Sequence, residues 1–89
     1  MKAVVTVIGR DSIGIIAEVS RLCSENGANI VDISQSVMRE YFAMIMLTEI
    51  DQLTIPFAEF VDVLADLGKS LGLDIHAMHE DIFNTMHHI

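Results

Sequence analysis

The sequence predicts an α+β domain whose elements run strand, helix, strand, strand, helix, strand, with a short extra helix at the C-terminal end. Three observations carry this. The stretch Thr6–Gln35 reads as strand, glycine-flanked loop, helix, tight turn and second strand. The stretch Asn29–Glu49 reads as two strands joined by a tight hairpin. Apolar residues at helical spacing then run from Phe57 to Leu71, and a last strand-like stretch follows.

The first strand is the β-branched run Val4–Ile8. Gly9 and Gly14 bracket a polar loop of Arg10, Asp11 and Ser12. Ile15, Ile16, Val19, Leu22 and Cys23 recur at the spacing of one helix face. Gly27, just after Asn26, suits the left-handed residue that ends a helix. The second strand, from about Asn29 to Val37, alternates imperfectly, because Ile30 and Ile33 fall on opposite faces. Either a bulge resets the phase or both faces are partly covered. Arg39 and Glu40 form a hairpin turn without the usual Asn-Gly signal. In the third strand, Tyr41–Glu49, Phe42, Met44 and Met46 point one way, and Ala43, Ile45 and Leu47 the other. Thr54 is the expected N-cap of the second helix, with Pro56 in its first turn. That helix is expected to bury Phe57, Phe60, Val61, Leu64, Leu67 and Leu71 and to stop at Gly72. Asp74–Glu80 is the fourth strand, and Ile82, Phe83 and Met86 share one side of a final amphipathic helix that can cap an edge or lock a dimer.

Two segments carry a resemblance. G-R-D-x-x-G-I-I-A-x-V from Gly9, followed by G-A-N-I-V-D-I-S-Q from Gly27, resembles the opening half of an ACT domain. The ending H-E-D-I-F-x-x-M-H-x-I, His79–Ile89, resembles that of a small stand-alone family of such domains. The resemblance spans essentially the whole chain. It implies a ferredoxin-like fold, a four-stranded antiparallel sheet of order 4-1-3-2 with two helices on one face. It also implies a regulatory role, commonly through amino-acid binding. Arg10, Asp11, Ser12, Ile13 and Gly14 then become candidate ligand-binding residues at the first strand–helix loop, where unpaired helix N–H groups meet a possible acceptor. Asn29 and Ile30 match the family's Asn-Ile dipeptide, whose Asn reaches a ligand held by the neighbouring subunit in some members. This chain has Ser12 and Ile13 where Arg and Pro are frequent, and Gly9 where some members carry a ligand-contacting His.

With 89 residues the chain is read as one domain, residues 1–89. Such a size buries roughly 60–70% of its unfolded surface. The hydrophobic fraction is 52%, high for so small a domain, and strands one and three are apolar on both faces. In the implied sheet order these strands are central, so their open face should be covered, most simply by a second copy. A net charge of −8 argues against direct nucleic-acid binding, which needs Lys and Arg at phosphates. An RNA-recognition motif shares the topology but needs aromatic stacking residues on a basic surface, absent here. No apolar run approaches the ~20 residues of a membrane span. One cysteine and no signal-peptide pattern lead us to expect a cytoplasmic setting.

His76, His79, His87 and His88, with Glu80 and Asp81, invite a metal reading, but no H-E-x-x-H or C-x-x-C spacing is present. Cys23 reads as a core residue, not a nucleophile. No paired carboxylates, phosphate loop or triad is found, so no catalytic, metal or cofactor role is expected. The expected function is a homodimeric sensor of an amino acid or similar small ligand that modulates a metabolic enzyme or regulator. The alternatives are a ligand-free interaction module and, further off, a metal-dependent enzyme.

Overall fold

The computed structural model describes residues 1–86. Seven elements follow in order: β1 (Lys2–Arg10), α1 (Ile15–Glu25), β2 (Asn29–Met38), β3 (Tyr41–Glu49), α2 (Phe57–Leu71), β4 (Leu73–His79) and α3 (Glu80–Met86). The four strands form one antiparallel sheet of order β2-β3-β1-β4, with the long strands β1 and β3 in its centre. This is the ferredoxin-like α+β arrangement. His87, His88 and Ile89, the end of the terminal motif, lie outside the described residues.

The core lies between the sheet and helices α1 and α2. Ala3, Val5 and Val7 of β1 alternate inward, as do Phe42, Met44 and Met46 of β3. They meet Ile15, Val19 and Cys23 of α1 and Phe60 and Leu64 of α2, all nearly or fully buried. Thr48, the one buried polar residue among those described, donates its hydroxyl to the Ala3 carbonyl at 3.0 Å, so its burial leaves no orphan group.

The irregular β2 resolves into a bulge. Ile30 faces Thr48 and Ile33 faces Met46, and the register shifts between Ile30 and Asp32. Thr48 and Met46 both point to the helix layer, so the extra residue brings both isoleucines to the same face. The C-terminal end of α1 closes as a Schellman motif. The Ala28 N–H reaches the Cys23 carbonyl at 2.8 Å, the Gly27 N–H reaches Ser24 at 3.2 Å, and Gly27 has φ +80°.

Several details differ from expectation, among them that Val63 and not Val61 packs on the core from α2 and that Ile16 of α1 is exposed. Pro56 stands at the N-cap of α2, and its carbonyl accepts the Phe60 N–H at 3.0 Å. Thr54 instead gives its backbone N–H to the Asn26 carbonyl, tying the preceding turn to α1. Glu80 opens α3 and does not end β4. The open sheet face is not left wholly to a partner either. α3 packs at one end of it, where Val4 is 4% exposed, while Ile8 and Ile45 further along remain 57% and 48% exposed.

Cys23 is buried in this core, and burial pushes its thiol up to about 11. We expect a thiol reagent at pH 8 to modify it slowly in the native protein and promptly once denaturant unfolds the chain. Equal rates in both states would contradict its placement.

Candidate functional site

The β1–α1 loop is built by its neighbours. The Asp11 N–H donates to the Glu40 carbonyl at 2.7 Å, which ties the loop to the β2–β3 hairpin. Arg39 in that hairpin has φ +58°, a conformation costly for a residue with a side chain. Gly14 enters α1 with φ +89° and serves as its N-cap without any side-chain hydrogen bond. The first hydrogen bond of the helix runs from the Glu18 N–H to the Gly14 carbonyl, at 2.9 Å. The N–H groups of Ile15, Ile16 and Ala17 therefore have no partner within the helix.

These groups open onto a groove of about 260 Å³ lined by Asp11, Ser12, Gly14, Ile16, Ala17, Gln35, Val37 and Phe42, among others. A Cβ on Gly14 would meet nothing within 4 Å, so the glycine answers a backbone need and leaves the space before it open. The groove thus offers backbone donors at a helix N-terminus, the exposed Asp11 carboxylate as an acceptor, and an apolar floor.

Of the seven residues singled out from sequence, the structure brings Asp11, Ser12 and Gly14 together. Arg10 is exposed and pairs with Tyr41 on the opposite sheet face from Gly9, and Ile13 projects fully into solvent. Neither lines the groove. Asn29 and Ile30 lie at the far end of α1, in a second groove of about 450 Å³ with Ser20, Ser24, Gly27 and Ala28. Gln35, Val37 and Phe42 were not singled out. The signal for Gln35 and Val37 is the parity of β2, readable only once the bulge is placed, while Phe42 is legible as an inward residue of β3 but not as part of the groove. At Gly9, a Cβ would approach Leu73 Cδ2 at 2.6 Å, so a side chain there requires Leu73 to move.

His76 and His79 point to opposite faces of β4. His76 pairs with Thr6 on the open face, and His79 stacks on Phe57 with ring centroids 4.2 Å apart. Among the described residues no group of three or more His, Cys, Asp or Glu side chains is placed to hold a metal ion. No described helix is long and apolar enough to cross a membrane.

Comparison with known proteins adds four findings. Residues 2–78 match the family described as the ACT domain. A UPF0237 protein of Clostridium perfringens is 46% identical over 89 residues, covering all of both chains. An ACT domain protein from Streptococcus pneumoniae superposes with a TM-score of 0.81 at 38% identity, covering 93% of each chain. The regulatory subunit of aspartate kinase from Thermus thermophilus, in its ligand-free form, superposes with a TM-score of 0.67 at 25% identity, covering 86% of this chain and 50% of that one.

Proposed function

This chain belongs to the ACT-domain family, and from that premise we propose that it is a regulatory module that senses an amino acid or similar small ligand. The carrying observation is the groove at the start of α1, where unpaired N–H groups and the Asp11 carboxylate stand side by side. A zwitterion needs that combination, with donors for its carboxylate and an acceptor for its ammonium. The likeness to a regulatory kinase subunit supports the regulatory part of the reading. On this reading the module performs no catalysis, works in the cytoplasm and acts by docking to an enzyme or regulator.

The site belongs to a homodimer. β2 is an edge strand of 10 residues, exposed along most of its length, with no Pro, Lys or Arg. Such an edge is a template for pairing with another strand. Antiparallel pairing of two β2 edges about a two-fold axis sets the Asn29 end of one copy beside the Val37 end of the other. That carries the partner's Asn29 towards the Asp11–Gly14 groove and joins residues that lie at opposite ends of α1 within one copy. Ile16, Ser20 and Ser24, uncharged and beside the β2 edge, would then face the second α1.

Two measurements test this. Light scattering at micromolar concentration is expected to give a dimer mass, and Ser20→Arg to shift it towards monomer. A clean monomer mass for the unmodified protein sinks the dimer. In a thermal-shift screen of the twenty amino acids, a ligand at one hundred times its dissociation constant stabilises the fold by about 2.7 kcal/mol. Asp11→Ala and Asn29→Ala are each expected to weaken that response with the fold intact by circular dichroism. If no amino acid shifts the melting temperature, the ligand-free interaction module becomes the better reading.

A further inference from the structure

The open face of the sheet carries a second concavity, on the other side of the molecule from the groove just described. α3 stands over one end of this face, so its bare part is a cleft with a floor and a wall. The cleft encloses about 500 Å³, with Ile8, Ala43 and Ile45 as floor and Phe83 of α3 as wall. That volume lies in the range of sites for drug-sized molecules, roughly 300–1,000 Å³.

Its polar groups are ordered by the sheet register. Ser34 pairs with Ile45, Ile45 with Thr6, and Thr6 with His76, so one cross-strand row presents hydroxyl, apolar, hydroxyl and imidazole side chains in turn. Among the described residues no hydrogen bond engages the side chains of Ser34, Thr6 or His76. Three groups able to donate or accept therefore border an apolar floor whose Ile8 and Ile45 are about half exposed. Covering that floor takes apolar surface out of water, which is favourable.

Charge selects the class of occupant. Asp74 pairs with Ile8 on the same face, two residues from His76, and the whole chain carries a net charge of −8. Arg10, two residues from Ile8 along β1, lies on this face as well and offsets Asp74, so the cleft itself holds no excess charge to recruit an ionic head group, and the chain's net charge of −8 disfavours an anion. We infer that this cleft binds a neutral, largely apolar small molecule whose carbonyl or hydroxyl group hydrogen-bonds to the Thr6–His76 end of the row. The inference is independent of the amino-acid reading of the α1 groove, because the two sites lie on opposite faces of the sheet.

Nile red, a neutral planar dye with a carbonyl group, is the probe. Its fluorescence is expected to rise saturably, with one dye bound per chain. Ile45→Glu and Ile8→Glu are each expected to weaken binding by about tenfold or more, since each sets an unpaired charge in the floor. Ile82→Glu, at an exposed position on α3, is expected to leave binding unchanged. Methyl NMR of the unmodified protein guards against misfolded variants, and the Ile8 and Ile45 signals should move on addition of dye while that of buried Ile15 stays in place. Non-saturable fluorescence, or binding indifferent to both floor substitutions, overturns the inference. So does a protein that binds no dye and whose particle mass halves on Ile45→Glu, because the face is then an interface between copies.

Discussion

Leu64→Ala is expected to destabilise the protein by roughly 2–5 kcal/mol. Leu64 is fully buried in the core on α2, the helix that packs on β4, and the lost methyl groups leave a cavity that a close-packed interior fills only partly. A domain of this size has about 5–15 kcal/mol in total, so the variant could lose most of its margin. Asp62→Ala, two residues away and exposed, is expected to change stability by under about 0.5 kcal/mol. Urea denaturation of both variants checks this. Equal effects would place the wrong side of α2 against the sheet.

Gly27→Ala is the second large effect, expected at about 2–5 kcal/mol from two separate causes. The residue has φ +80°, which costs a side-chain-bearing residue about 1–2 kcal/mol. A Cβ there would also lie 2.1 Å from the Gln52 carbonyl oxygen, a backbone atom held in the turn that docks on the end of α1. Relieving such overpacking typically costs about 1–3 kcal/mol. Gly14→Ala separates the two causes. Its φ is +89°, but nothing lies within 4 Å of the added carbon, so only the conformational cost of about 1–2 kcal/mol applies. If the two glycine variants lose equal stability in the same denaturation assay, the contact with Gln52 is not the constraint it is here taken to be.

Local signals settled most of the element order. The spacing of Ile15, Val19 and Cys23 and of Phe60 and Leu64 marked the buried faces of both helices, because an amphipathic helix has one way to present an apolar stripe. Gly27 and Gly72 marked helix ends, because a left-handed residue is cheap only without a Cβ. The inward alternation of Phe42, Met44 and Met46 followed from the two-residue period of a strand.

What tertiary structure decided concerns distances between residues remote in sequence. The bulge at Val31 depends on pairing with β3, and it alone places Gln35 and Val37 beneath the start of α1. Asp11 and Asn29 belong to one motif in sequence, yet they stand at opposite ends of α1, an 11-residue helix about 16 Å long. Nothing in its neighbours along the chain marks Gly68. A Cβ there would come within 2.6 Å of the Leu73 carbonyl oxygen, so its smallness sets how closely α2 approaches β4. The sequence by itself determined which faces are apolar and where helices must stop, because these follow from side-chain chemistry and backbone freedom within a few residues. Which residues share a groove, and how much of the open sheet α3 covers, arose only when non-adjacent strands paired and fixed the register across the sheet.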